Sequence, residues 1–198
     1  MSKASIMAGP GITIDKKINT KVINLLGGSG IGKSTTASKL FGEMKDRKYH
    51  VELVREYIKE WCWAEREITP FIQSITYGVQ LEKESQLYNK LDYVITDSPL
   101  ILYPIYQKFN YDHEAIKAQV LNDLNVAKDM KVDHINFVLS RTKDFDTKGR
   151  FETEEQAMEV DVLVKQFLIE NAMDYIEVDV KDSQRVDFIL DYLELMNS

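Results

Sequence analysis

A chain of 198 residues with 44 % hydrophobic and 29 % charged residues suits one α/β domain with a substantial core. Its formal net charge of −7 disfavours broad, non-specific nucleic-acid binding, which needs clustered Lys and Arg, although it leaves room for a local basic groove. The single cysteine, Cys62, excludes an internal disulfide and fits a reducing compartment, and no apolar run approaches the length of a membrane span. No charged n-region with an apolar h-region opens the sequence, so a cytoplasmic protein without a membrane partner is expected.

Residues 1–20 read as an N-terminal extension, partly disordered before Gly9, with a turn at Gly9-Pro10-Gly11 and a short edge strand at Ile12-Thr13-Ile14. A single domain, 21–198, follows. Lys21 to Leu26 is a buried strand that runs into Gly27-Gly28-Ser29-Gly30-Ile31-Gly32-Lys33-Ser34. This stretch fits G-x-x-x-x-G-K-[ST], the Walker A phosphate loop. Consecutive backbone N–H groups can wrap a triphosphate only if side chains stay clear, hence four glycines among positions 27–32. The helix expected from Ser34 to Lys48 adds free N–H groups and the positive end of its dipole. Gly28, Ser29, Gly30, Ile31, Gly32, Lys33, Ser34 and Thr35 are therefore the nucleotide-binding candidates. Lys33 is expected to reach the β- and γ-phosphates, and the Ser34 hydroxyl to ligate Mg²⁺.

His50 to Val54 is a second strand, ending in Arg55-Glu56-Tyr57-Ile58-Lys59-Glu60-Trp61. Its carboxyl end puts Arg55 and Glu56 beside the ligand crevice of a parallel sheet. Glu56 is the candidate to orient an acceptor hydroxyl and take its proton, with Glu60 a spare. Cys62, between Trp61 and Trp63, reads as a small packing residue. After Thr69-Pro70, residues 71–90 carry Phe71, Ile72, Ile75, Val79 and Leu87 at helical spacing.

Leu91 to Asp97 is a third strand, and Asp97 is the natural Walker B acid, placed to share a metal with Ser34. Asn89-Lys90-Leu91-Asp92 matches the guanine-reading N-K-x-D of GTPases, but it precedes this strand, and Leu100 spoils the companion D-x-x-G. The match is coincidental. Ser98-Pro99 and Tyr103-Pro104 read as breaks, and 112–130 as a helix with Asp112 as N-cap.

His134 to Leu139 is a fourth strand, followed by a polar loop from Ser140 to Arg150 that holds Arg141, Lys143, Lys148 and Arg150. A mobile lid at about 141–152 can close positive charge over a transferring phosphoryl group, and Arg141 and Arg150 are its candidate catalytic residues. Thr153-Glu154-Glu155-Gln156 is a capping box opening a helix to about Asn171. A fifth strand at Tyr175–Asp179 and a helix over 183–196 complete the chain. Five strands alternating with helices predict a doubly wound parallel sheet with helices on both faces, an α/β fold. Trp61, Trp63, Phe71, Tyr77 and Tyr103 are either core or platforms for a flat acceptor, and Gln73 and Gln80 could read a base edge. His50, His113 and His134 have no metal-binding spacing.

Walker A near the start, Arg55-Glu56 after the second strand, Asp97-Ser98-Pro99 after the third and an Arg-bearing lid resemble the P-loop kinases of small nucleosides and nucleotides. Glu56 followed by Trp61 is similar to the Glu…Trp of deoxyribonucleoside kinases, where that glutamate acts on the acceptor hydroxyl. Val54-Arg55-Glu56-Tyr57 looks more like nicotinamide-riboside-kinase-type domains, which include many phage-encoded proteins. Some phage relatives phosphorylate hydroxymethylated pyrimidines in DNA. Two departures stand out. Deoxyribonucleoside kinases have Asp-Arg-Ser or Glu-Arg-Ser where this chain has Asp97-Ser98-Pro99, leaving Arg55 as the substitute arginine. Their Arg-x-Arg lid appears here as Arg141-Thr142-Lys143.

The resemblance implies an ATP- and Mg²⁺-dependent kinase, with GTP still open as donor, acting on a hydroxyl of a nucleoside- or nucleotide-like acceptor through Lys33, Glu56, Asp97, Arg141 and Arg150. A 5-hydroxymethylpyrimidine in DNA is the alternative acceptor, and a homodimer stays open. The rival of another class is a P-loop ATPase or nucleotide-gated binding module with no small acceptor.

Overall fold

A computed structural model describes residues 18–67, 69–142 and 151–197. The expected edge strand at 12–14, and Lys143, Lys148 and Arg150 of the lid, lie outside the described residues. Thr20 joins the sheet rather than an extension, because β1 spans Thr20–Leu26. The order continues with α1 (Lys33–Asp46), β2 (Val51–Val54), α2 (Lys59–Trp63), α3 (Pro70–Ser85) and β3 (Tyr93–Thr96). Then come α4 (Leu102–Tyr111), α5 (Lys117–Asp129), β4 (Val132–Leu139), α6 (Glu154–Glu170), β5 (Ile176–Val178) and α7 (Arg185–Asn197), the last preceded by a 3₁₀ turn at Asp182–Gln184.

The strands form one parallel sheet in the order β2-β3-β1-β4-β5. Ile23 and Leu25 of β1, Ile95 of β3 and Phe137 of β4 pack with Leu40 and Met44 of α1 and Ile189 and Leu190 of α7. On the opposite face, Leu26 and Val138 meet Tyr77 of α3, Leu102 and Ile105 of α4, Val120 of α5, and Val160, Val164 and Leu168 of α6. Both faces are covered, so the strands read as near-continuous apolar runs, the pattern of a buried parallel sheet. The doubly wound α/β expectation holds, and the strand order puts β3 beside β1, bringing Asp97 next to the Walker loop.

Two local expectations fail for physical reasons. Asp112 does not open a helix. It caps the carboxyl end of α4 in the left-handed region at φ 50, which Asp tolerates, and α5 starts only at Lys117. Tyr103-Pro104 does not interrupt the chain either, because Pro104 sits in the first turn of α4, where backbone N–H groups have no helical partner to lose.

Helix α3 forms but stops at Ser85, short of the expected 90, and the ends of its apolar period are not buried. Phe71 and Ile75 are 84 % and 61 % exposed, while Gln73, Thr76, Gln80 and Glu84 are buried with Tyr77. Each is held by a hydrogen bond, although Gln80 Nε2 and Glu84 Oε2 are buried without one. Gln80 Oε1 accepts the Tyr57 N–H at 3.3 Å, Thr76 Oγ1 donates to the Gln73 carbonyl at 3.0 Å, and the Tyr88 hydroxyl donates to Glu84 at 2.6 Å.

Candidate active site

The Walker loop closes the turn between β1 and α1. Gly32 is the N-cap of α1 at φ 100, a conformation that strains any residue with a Cβ. Gly28 meets a different limit, since a Cβ there would overlap the Ala157 carbonyl of α6. Ile31 offers only its backbone, because its side chain is in the core. Lys33 Nζ folds back on the loop and donates to the carbonyls of Gly27 at 2.7 Å and Gly28 at 2.9 Å. Burial pulls its ammonium below the usual lysine value, while Glu56, Asp97, Glu152 and Asp161 pull it back up.

Glu56 and Asp97 leave the carboxyl ends of adjacent strands β2 and β3, which pair at Val54 and Thr96. The Glu56 N–H donates to Asp97 Oδ1 at 2.9 Å, so the second acid fixes the backbone that carries the first. Burial raises the Glu56 carboxyl above its ordinary value, Lys33 opposes the shift, and the Asp97 charge adds to it.

One cavity of about 350 Å³ is lined by Lys33 and Glu56 together. Its lining includes Ser29, Gly30, Gly32, Lys33, Ser34 and Thr35 of the loop, with Glu56 and Ser98. Gln73, Tyr103, Tyr106, Asn110, Glu152 and Gln156 line the same cavity. Of the five candidate aromatic platforms, Tyr103 lines it. Tyr77 belongs to the core, with its hydroxyl donating to Asp123 at 2.6 Å, and Trp63 and Phe71 point to solvent. Gln73 lines the cavity, whereas Gln80 braces Tyr57. Arg55 and Glu60 are exposed and are not among the lining residues. Cys62 borders the cavity half-buried rather than packing in the core, and burial raises its thiol, which disfavours the thiolate.

Arg141 is brought to the loop. Its NH1 donates to the Ser29 carbonyl at 3.1 Å, and its Nε and NH2 donate to Asp161 Oδ2 at 3.0 and 2.9 Å. Asp161 Oδ1 accepts the Gly28 N–H at 2.5 Å. From the other side, Arg185, 1 % exposed, donates to the carbonyls of Ile31 at 2.8 Å and Ser140 at 2.5 Å and pairs with Asp182 at 2.9 Å.

Asp161, Arg185 and Glu152 escape sequence reading, since each looks like an ordinary surface charge. A signal existed for two of them. Asp161 lies one helical turn after buried Ala157, and Arg185 one turn before buried Ile189, so each charge sits on the apolar face of its helix.

Among the described residues no cluster of three or more His, Cys, Asp or Glu could cage a metal. The Ser34 hydroxyl lines the cavity, and Asp97 follows β3, the strand beside β1; these are hard oxygen donors of the kind that suit Mg²⁺, which keeps waters and phosphate oxygens as its other ligands. No described helix is long and apolar enough to cross a membrane.

The AAA domain family matches residues 22–185. No curated protein matches the chain. Among solved structures, the deoxyadenosine kinase from M. mycoides with bound dATP is 18 % identical, with a TM-score of 0.58 over 87 % of this chain and 99 % of that one. The same enzyme with dCMP and dCDP gives the same identity and TM-score over 98 % of its chain. The NadR protein in complex with NR is 17 % identical, with a TM-score of 0.60 over 87 % of this chain and 50 % of that one. At these identities the likeness is one of fold, the P-loop kinase-like fold.

Proposed function

The chain belongs to the AAA domain family, and on that premise we propose that it is an ATP- and Mg²⁺-dependent phosphotransferase that moves the γ-phosphate to a hydroxyl of a nucleoside- or nucleotide-like small molecule. One observation carries the reading: the Walker loop, Glu56 and a set of Tyr103, Tyr106, Asn110 and Gln73 line one and the same cavity. An ATPase needs room for a water. This cavity has room, aromatic surface and amide groups for an organic acceptor.

Lys33, freed from the carbonyls of Gly27 and Gly28, binds the phosphates with the loop amides. Ser34 and Asp97 would hold Mg²⁺, which supplies neutralisation of phosphate charge. Glu56, with a carboxyl raised by burial, accepts the acceptor's hydroxyl proton. Arg141 stands at the loop to stabilise charge there, and Arg150 is assigned the same role on the lid.

The test is transfer of labelled γ-phosphate from Mg·ATP to a panel of nucleosides, nucleotides and hydroxymethylpyrimidine-containing DNA, with Lys33→Ala as control. Label on a free nucleoside or nucleotide and acceptor-stimulated ADP release are expected. Label confined to DNA would reassign the acceptor, and ATP turnover indifferent to every acceptor would make the protein an ATPase.

A further inference from the structure

A carboxylate hydrogen-bonded to a phosphate-binding loop is at odds with the loop's ligand, a polyanion. Asp161 is such a group. One oxygen takes the Gly28 N–H at 2.5 Å and the other takes both Nε and NH2 of Arg141. The two side chains are 24 % and 14 % exposed, so solvent screens their charges only partly. The third arm of Arg141, NH1, reaches the Ser29 carbonyl, so the guanidinium spans from α6 to the loop. Helix α6 is itself pressed against the loop, where the Ala157 carbonyl leaves no room for a Cβ at Gly28.

We propose that Asp161 is a positioning residue for nucleotide binding and that its charge is tolerated at the loop only because Arg141 neutralises it. The pair then acts as one unit. Asp161 fixes the start of the loop and the direction of the Arg141 fork, and Arg141 cancels the repulsion that Asp161 would otherwise exert on the phosphates. This rests on the nucleotide-binding part of the proposed function and not on the identity of the acceptor.

The unit has a signature that a purely structural Asp161 lacks. Arg141→Ala removes a cation and also uncovers a carboxylate, so its loss of affinity has two sources. Asp161→Asn keeps an oxygen for the Gly28 N–H and removes the charge. In the Arg141→Ala background it therefore restores affinity instead of weakening it further.

The experiment is calorimetric titration of Mg²⁺ with a non-hydrolysable ATP analogue into four proteins: the parent, Arg141→Ala, Asp161→Asn and the double variant. Arg141→Ala is expected to bind roughly 30-fold more weakly, and the double variant to regain about tenfold, the size of one like-charge contact in a half-screened site. The regain is expected to shrink at 0.5 M salt, and thermal melting of each variant checks that it is folded. A double variant that binds no better than Arg141→Ala, or a regain indifferent to salt, would overturn the inference. A parent that does not bind the analogue would overturn both this inference and the phosphotransferase reading. A parent that binds it but transfers phosphate to nothing in the panel would sink the acceptor assignment alone.

Discussion

Nε2 of His134 lies 4.0 Å from Oε1 of Glu84, and both side chains are sealed between β4 and α3, at 12 % and 0 % exposure. Asn24 Nδ2 donates to Asn136 Oδ1 at 2.9 Å and lies 3.3 Å from His134 Nδ1. Its two protons serve both contacts, so Nδ1 accepts and Nε2 carries the proton that faces Glu84. Burial pushes Glu84 up to about 7 and His134 down to about 4. Between about 4.5 and 7 the folded chain keeps a Glu84 proton that the unfolded chain has lost, so this group's contribution to stability falls as pH rises. His134 acts in the opposite sense. The unfolded chain takes its proton near 6.5 and the folded chain only near 4, so its contribution falls as pH drops through that range. In the parent the two slopes largely cancel. Glu84→Gln should leave stability rising with pH relative to the parent, and His134→Gln should leave it falling, each by up to about 1.4 kcal/mol per pH unit. Urea unfolding from pH 4 to 8 measures both slopes, and two variants with the same sign would refute the assignment.

Glu56 should govern the chemistry without governing nucleotide affinity. Glu56→Gln is expected to lower acceptor-dependent turnover by roughly 10²- to 10⁴-fold while the ATP analogue binds unchanged. Because burial raises its carboxyl, the parent's turnover should fall on acidification at a pH above the ordinary glutamate range. Rate measurements at saturating ATP across pH 5–9 provide the check. Full activity in Glu56→Gln would remove the residue from the mechanism.

Gly28 and Gly42 should respond oppositely to the same methyl group. At Gly28 the new Cβ collides with the Ala157 carbonyl, a backbone atom of a packed helix, so Gly28→Ala should cost at least tenfold in nucleotide affinity and lower the melting temperature. At Gly42, inside α1, nothing lies within 4 Å, so Gly42→Ala should stabilise the protein by about 0.5–1 kcal/mol through helix propensity alone. Paired melting curves settle it.

Arg185→Met should destabilise the protein by roughly 3 kcal/mol in urea unfolding, because it strips partners from the carbonyls of Ile31 and Ser140 and from Asp182 in a buried setting. A cost below about 1 kcal/mol would mean that water replaces the guanidinium without penalty.

The sheet was readable because each strand is an apolar run bounded by turn residues, and the Walker loop because phosphate chemistry dictates both residue type and spacing. The direction of α3 was not readable. Phe71 and Ile75 set a helical period, but a period does not say which side is buried. Here Gln73 lines the cavity, and Gln80 and Glu84 serve partners inside the fold, so these needs outweigh the exposure of two apolar side chains. Asp112 was misread because the same short acid that begins helices also tolerates the left-handed turn that ends them. Local pattern marks Asp161 and Arg185 only as charges on apolar helix faces; their partners lie 133 and 154 residues away, a distance over which it cannot name them.

Those two separations also set an order of events during synthesis. The phosphate loop emerges from the ribosome before two of the groups that hold its backbone, which lie on α6 and α7 more than 130 residues later. At 5–20 residues per second, roughly 7–30 s pass between the making of the loop and the arrival of its braces. During that interval the nascent chain carries the whole Walker sequence without the packing that shapes it, so nucleotide cannot guide its early folding. On the proposed function, ATP would be a ligand of the finished domain, with its stabilising effect arriving only with α7.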